Sequence, residues 1–177
     1  MKKMEAIRRL NELDRLGIYV LTKGDLEKVF PEEKEKAFEK SLQRLVADGI
    51  LQRVAKGIYV NPMARSLKGN AIEDIASVMR RGHYSYVTKE SMLSEYGVIS
   101  QVPMSRITLM TTGSNGLYET PYGTIEFTHT KRRPVEIIQR TMSVAGRPLR
   151  IATKQAAVTD LVRCGRNVNM MDMMEID

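Results

Sequence analysis

The chain has 177 residues and a formal net charge of +7, with 42% hydrophobic and 28% charged residues. This composition favours a folded globule over disorder, and the excess of Lys and Arg favours polyanionic partners. The apolar runs are far shorter than the roughly 20 residues of a membrane-spanning helix, and no signal-peptide core follows Met1. The single Cys164 excludes an intramolecular disulfide framework and a zinc ribbon. We therefore expect a cytoplasmic protein with no membrane partner.

The N-terminal part of the chain has the pattern of three helices. Thr22 suits the N-cap of the second helix, and Pro31 prevents that helix from continuing. In the third segment Phe38, Leu42 and Leu45 form one apolar stripe with helical spacing. The pattern predicts helices over residues 2–17, 23–30 and 32–49.

The stretch "VADGILQRVAKGIYVNP" follows the third helix. Residues that favour β-structure flank Ala55-Lys56-Gly57, which predicts a tight hairpin. Three helices followed by a hairpin is the order of a winged helix-turn-helix, in which the third helix enters the major groove and the hairpin tip contacts the DNA backbone or the minor groove. We therefore assign residues 1–62 to a DNA-binding domain of this type. The predicted contacts lie on the third helix and the hairpin, at Lys36, Lys40, Ser41, Arg44, Gln52, Arg53 and Lys56.

The third predicted helix also carries several glutamates that repel phosphate. A winged helix that binds protein instead of DNA is therefore an open alternative.

Residues 63–177 alternate helical and strand patterns separated by Gly-rich turns. The helical patterns cover 70–82, the segment after Thr88 and the segment after Thr153, and the strands lie mostly between them. These patterns predict an α+β C-terminal domain with an antiparallel sheet. The Met-rich end "NMMDMMEID" suits the core of a last helix or an apolar face for a partner.

Candidate catalytic residues are few. His83 and His129 are the only histidines, and no metal-ligand spacing connects them with Cys164 or Asp160. We predict neither catalysis nor a cofactor or metal, with a nuclease or a modifying enzyme in the C-terminal domain as the alternative. The run Lys131-Arg132-Arg133, reinforced by Arg140, Arg147 and Arg150, predicts a basic surface for nucleic acid or an acidic protein, or a solubilising edge of the sheet.

Several segments in order resemble the AbiEi-type antitoxins of type IV toxin–antitoxin (abortive infection) systems. The N-terminal stretch from "LTKGDLEKVF" to "GIYVNP" resembles the winged helix of that family. The segments "YVTKESMLSEYGVI", "YGTIEFTHT" and "IATKQAAVTDLV" are similar to its later helix, strand and strand-to-helix elements. The chain departs from the family pattern at "TKQAA", where a Pro-Glu pair is expected after the threonine, and at Glu95-Tyr96.

The resemblance implies an autorepressor that binds inverted repeats in its own promoter. It also implies that the C-terminal domain counteracts a nucleotidyltransferase-like toxin without a stable complex. Carried over to this chain, the antitoxin surface would contain Lys131, Arg132, Arg133 and Arg140. A plain winged-helix regulator remains the alternative.

Overall fold

The computed structural model describes residues 1–100, 105–165, 169 and 171. The chain divides into two compact units, an N-terminal unit of Met1–Ala71 and a C-terminal unit of Ile72–Asp177. The division follows Ala71, whereas the sequence pattern predicted a boundary after Pro62. Both units combine helices with β-sheet, so the protein belongs to the α+β class.

The N-terminal unit contains three helices and a three-stranded antiparallel sheet with the order β1-β3-β2. Its elements are α1 (Lys3–Arg15), β1 (Val20–Thr22), α2 (Lys23–Val29), α3 (Glu35–Ala47), β2 (Gln52–Ala55) and β3 (Ile58–Val60). The predicted helices and the hairpin are thus present, with ends that differ by one to a few residues. The short first strand joins the hairpin through β3, with Val20 opposite Val60.

An apolar cluster holds the N-terminal unit together. Leu10 of α1, Leu26 of α2 and Phe38 of α3 are each no more than 2% exposed and belong to this cluster. Burying such side chains stabilises a fold by about 1.5–3 kcal/mol each. Because the buried residues of α3 lie on one stripe, its opposite face is left to solvent.

A capping box starts α2. The Thr22 hydroxyl accepts a hydrogen bond from the backbone N–H of Asp25 at 3.0 Å, and the Asp25 carboxylate accepts one from the Thr22 N–H at 2.9 Å. Two backbone donors of the helix start are thereby satisfied. The next N–H, that of Lys23, donates to the carbonyl of Gly57 at 2.8 Å and so ties the start of α2 to the hairpin tip.

The C-terminal unit contains a six-stranded sheet with the order β6-β7-β5-β4-β9-β8. Its strands are β4 (Ser85–Val87), β5 (Arg106–Thr111), β6 (Gly116–Thr120), β7 (Gly123–His129), β8 (Thr141–Met142) and β9 (Arg150–Ala152). Its helices are α4, which begins at the unit boundary (Ala71–Met79), α5 (Glu90–Glu95), α6 (Pro134–Arg140) and α7 (Lys154–Cys164).

The predicted antiparallel arrangement of this sheet is wrong, because the sheet is mixed. Strand β4 runs parallel to β9, and β5 runs parallel to β7. Strand β7 turns back on β6 at the hairpin near Gly123 and enters the sheet between β6 and β5. In each parallel pair a long connection joins the first strand to the second, as parallel pairing requires.

Two elements of the C-terminal unit were not predicted. Helix α6 begins directly after the Lys131-Arg132-Arg133 run, and β8 follows it at one edge of the sheet. Pro134 occupies the first helical turn of α6, where its missing N–H costs no hydrogen bond. The prediction for the Met-rich end falls, except for residues 169 and 171, outside the described residues.

Candidate nucleic-acid interface

The solvent face of α3 presents a polar ridge. Lys36, Lys40 and Gln43 are exposed and are spaced four and three residues apart, so they follow one line along the helix. The predicted contacts Lys36 and Lys40 lie on this ridge. Gln43 was not predicted as a contact, although its position three residues after Lys40 was a signal for it.

Arg44 lies beside this ridge, and Ser41 fixes its position. The Arg44 guanidinium donates from Nη2 to the Ser41 hydroxyl at 3.0 Å, and that hydroxyl donates to Glu33 at 3.3 Å. Ser41 is only 3% exposed, so its prediction as a direct DNA contact is corrected. Its place in the helix explains the difference, because it falls three residues after Phe38 and four before Leu45, on the buried stripe.

The hairpin supplies the second basic element. Arg53 and Lys56 are exposed, and Gln52 is half-buried. Ala55 lies opposite Ile58, and Gly57 between the strands has a φ of +73°, which glycine adopts without strain. This tight turn leaves the Lys56 side chain at the tip.

A groove of about 520 Å³ separates α3 from the hairpin. Lys23, Arg53 and Lys56 line it together with one acid, Glu39. Lys23 donates to the Glu39 carboxylate at 2.8 Å, and this hydrogen bond lowers the pKa of Glu39. The groove is therefore positively charged, and its one carboxylate is already neutralised.

Other acids near α3 are also paired. The Glu32 carboxylate lies 3.0 Å from Arg9, whose hydrogen bond lowers its pKa. Glu33 forms an ion pair with the amino group of Met1. The glutamates that the sequence suggested would repel phosphate are thus largely compensated by neighbouring cations.

The basic run of the C-terminal unit does not form one surface. Lys131 and Arg133 are exposed, and Arg133 pairs with Glu136 at 3.3 Å. The Arg132 side chain is only 11% exposed and the Arg140 side chain 29% exposed, and both lie against Asp160. The prediction of Arg132 and Arg140 as surface residues is corrected, because a fully buried carboxylate draws both guanidinium groups inward.

Asp160 is the centre of a buried polar cluster. Its carboxylate lies 2.9 Å from Arg132 and 3.3 Å from Arg140, and it accepts hydrogen bonds from Thr88 at 2.7 Å and Tyr86 at 3.1 Å. Burial, followed by the charge of Asp160, raises the pKa of Tyr86. The sequence pattern predicted no role for Asp160 beyond a partner for the histidines. Its place on the apolar side of α7, between Ala157 and Leu161, was a signal, since a buried carboxylate needs partners.

A cavity of about 450 Å³ lies next to this cluster. Arg132 lines it together with residues from β5, β7, α6, α7 and the connection before α6. We call it the basic cavity, because its charged lining consists of Lys131, Arg132, Arg163 and Glu136, with His129 beside them.

A second buried ionic group surrounds Lys89. This lysine is 0% exposed, and its ammonium donates to the Thr128 hydroxyl at 2.6 Å and lies 3.5 Å from Glu126. Arg106 forms a further ion pair with Glu126. The charged residues of this group are thus paired with one another between β5, β7 and the start of α5.

The histidines do not assemble a metal site or a triad. His129 is exposed, and its Nδ1 lies 2.7 Å from the carbonyl of Gly113, where it orders the loop before β6. Across residues 1–100 and 105–165, with 169 and 171, no group of three His, Cys, Asp or Glu side chains is placed to hold a metal ion. In the same part of the chain no helix has the length and apolar character to cross a bilayer.

The fold is similar to that of the RV2827C protein from Mycobacterium tuberculosis, with a TM-score of 0.60 and 15% sequence identity. The match covers 91% of this chain but 61% of the mycobacterial one, so the chain spans less than two thirds of that protein. At this identity the likeness concerns the fold alone. No curated protein matches the chain.

A family model matches residues 6–163, which is most of the chain. Its description is "Family of unknown function (DUF6088)". The match begins in α1 and ends in α7, so it includes the α3–hairpin surface and the Asp160 cluster. The protein therefore belongs to the DUF6088 family.

Proposed function

We propose that the protein is a cytoplasmic, sequence-specific DNA-binding autorepressor and the antitoxin of a type IV toxin–antitoxin system. The observation that carries the DNA-binding part is the exposed ridge of Lys36, Lys40 and Gln43 beside a positively charged groove. This surface combines a helix with cations and an amide, which is the chemistry that reads a DNA duplex.

The element order of the N-terminal unit supports a winged helix-turn-helix. Helices α1, α2 and α3 precede the β2–β3 hairpin, and β1 completes a small sheet. In this interpretation α3 lies in the major groove and the hairpin is the wing. Lys36, Arg53 and Lys56 contact phosphates, while Lys40, Gln43 and Arg44 reach base edges.

Electrostatics supports a phosphate partner for this surface. Glu32, Glu33 and Glu39 are paired with cations of the protein, so they oppose phosphate binding less than free carboxylates would. Arg53 and Lys56 form no ion pair within the described residues, and their charges are available for the DNA backbone. Phosphate neutralisation then supplies most of the affinity.

The antitoxin part of the proposal rests on the resemblance to AbiEi-type antitoxins. The C-terminal unit would counteract a nucleotidyltransferase-like toxin without catalysis of its own and without a stable complex. Lys131 and Arg133 are the exposed cations of the predicted antitoxin surface, so they are its best candidates for contacts.

Fluorescence anisotropy with the DNA upstream of the protein's own gene, against a scrambled duplex, tests DNA binding. We expect the upstream duplex to bind at least about a thousandfold more tightly than the scrambled one at physiological salt. Equal and salt-sensitive binding to both duplexes would leave only a basic surface, and binding to neither would favour the protein-binding alternative.

Co-expression with the product of a neighbouring nucleotidyltransferase-like gene tests the antitoxin role. We expect growth to be restored by the wild type and to be reduced by Lys131→Ala combined with Arg133→Ala. Repression of the promoter without any rescue of growth would leave a plain transcriptional regulator. Rescue that requires His83 or His129 would support the enzymatic alternative.

A further inference from the structure

We propose that the basic cavity of the C-terminal unit binds the phosphate group of a nucleotide. The proposal goes beyond the DNA-binding function, because it concerns a small ligand and another unit of the chain. Three observations carry it: the way Arg132 is held, the balance of charge around it, and the size of the cavity.

Arg132 is held through one of its three guanidinium nitrogens. Its Nη1 lies 2.9 Å from Asp160, 2.9 Å from the Tyr86 hydroxyl and 3.3 Å from the Met110 sulfur. Within the described residues, Nε and Nη2 have no hydrogen-bond acceptor. A guanidinium fixed in this way, and mostly buried at the cavity wall, offers a rigid pair of donors that suits phosphate oxygens.

The charge around Arg132 is not balanced. Asp160 is shared between Arg132 and Arg140, so one carboxylate faces two guanidinium groups. Lys131 and Arg163 line the cavity as well, and neither forms an ion pair within the part of the chain that the structure describes.

Glu136 is the carboxylate that lines the cavity, and it is already engaged. It accepts a hydrogen bond from the backbone N–H of Arg133 at 2.7 Å, which is the main reason that its pKa is lowered. In the cavity lining and the adjacent Asp160 cluster, positive charge therefore exceeds negative charge. A bound dianion would neutralise most of this excess.

The size of the cavity favours a nucleotide over a free phosphate. Its 450 Å³ lies within the roughly 300–1,000 Å³ typical of small-molecule sites and exceeds what one phosphate fills. Met110 and His129 add a thioether and an imidazole ring to the lining. Groups of this kind provide apolar and stacking contacts for a base beside the phosphate donors.

Isothermal titration calorimetry of the full chain with AMP, inorganic phosphate and adenosine tests the proposal. We expect saturable 1:1 binding of AMP, weaker binding of phosphate and no measurable binding of adenosine. The double variant Lys131→Gln, Arg163→Gln should weaken AMP binding by about tenfold or more, because each charge removed is a donor to the phosphate. Both side chains are exposed, so the variant should keep the circular dichroism spectrum of the wild type.

The matched control is Arg15→Gln, Lys68→Gln. It removes the same two residue types from exposed positions of the N-terminal unit and should change AMP affinity less than twofold. An equal loss in the two double variants would show a general charge effect and overturn the proposal. Absence of AMP binding, or phosphate binding as tight as AMP binding, would overturn it as well. Binding to operator DNA is measured separately, and no result of the AMP titration decides whether the DNA-binding proposal holds.

Discussion

The two units of the chain use charged side chains in opposite ways. In the N-terminal unit the buried cluster is almost entirely apolar, and the cations of α3 and the hairpin face solvent. In the C-terminal unit Lys89 and Asp160 are both 0% exposed and are held by partners from several strands and helices. The described cations of α3 and the hairpin are therefore open to solvent, whereas Lys89 and Arg140 of the other unit take part in ionic contacts with buried or half-buried partners.

This contrast has an energetic consequence. Removing an exposed, unpaired cation changes stability little, because water solvates the site equally well afterwards. Removing one member of a buried ionic cluster leaves its partners desolvated and uncompensated, which is strongly destabilising. Charge substitutions in the N-terminal unit should thus act mainly on binding, and those in the buried clusters mainly on folding.

The largest expected effect is that of Asp160→Ala. The variant leaves the Arg132 and Arg140 guanidinium groups without their shared carboxylate and should lower the free energy of unfolding of the C-terminal unit by about 3–5 kcal/mol. Hydrogen exchange of the β4 and α7 amides, measured at increasing urea concentration, reports this unit separately from the other.

Glu119→Ala is the control for Asp160→Ala. Glu119 is an exposed acid on β6 of the same unit, and its loss should change stability by no more than about 0.5 kcal/mol. Equal effects of the two substitutions would contradict a structural role for the buried cluster.

A smaller effect on stability, but a clear one on binding, is expected for Arg53→Ala combined with Lys56→Ala. Stability should stay within about 0.5 kcal/mol of the wild type, since both side chains are exposed. The slope of log affinity against log salt concentration should flatten by up to about two units, because each phosphate contact contributes about one. An unchanged slope would mean that the hairpin does not contact the DNA. The control is the Arg15→Ala, Lys68→Ala variant, which removes two exposed cations outside α3 and the hairpin.

The smallest effect is expected for Glu5 on α1. Hydrogen bonds from Arg8 and then Arg9 lower the pKa of Glu5 from 4.5 to about 2. A carboxyl whose pKa is lowered on folding contributes stability that is present above its unfolded pKa and is lost as the pH falls through the folded value. The difference in melting temperature between the wild type and Glu5→Gln should therefore shrink as the pH falls from about 4.5 to about 2.

The half-exposed position of Glu5 gives a second test of this prediction. Its ion pairs are screened by salt, so the difference between the wild type and Glu5→Gln should also decrease at high ionic strength. A difference that stays constant across this pH range would mean that the interactions of Glu5 with Arg8 and Arg9 do not depend on its charge.

Much of the N-terminal unit could be predicted from the sequence, because its signals are local. The spacing of Phe38, Leu42 and Leu45 defined α3 and, with it, the exposed side that carries Lys36 and Lys40. Gly57 marked the hairpin turn. Ser41 was assigned to the wrong face because a hydroxyl residue is compatible with either side of a helix, although its spacing from Phe38 and Leu45 places it on the buried stripe.

The structure of the C-terminal unit was harder to predict from the sequence, because it depends on contacts between residues far apart in the chain. Lys131, Arg132 and Arg133 are adjacent cations with similar local preferences, yet only Arg132 is drawn towards Asp160. The parallel pairing of β5 with β7 likewise depends on β6 taking the edge position. Neither outcome follows from periodicity or turn residues, which report only neighbours in the chain.

The sequence by itself determined the basic character of the protein, the three helices and hairpin of the N-terminal unit, and the α+β class. These depend on composition, on the periods of helices and strands, and on the conformational limits of Gly and Pro, all of which act over a few residues. The tertiary structure alone decided which charges are buried, which strands are parallel and where the basic cavity lies. A buried ion pair requires partners that the fold brings together from far apart in the chain, as Tyr86, Arg132 and Asp160 show.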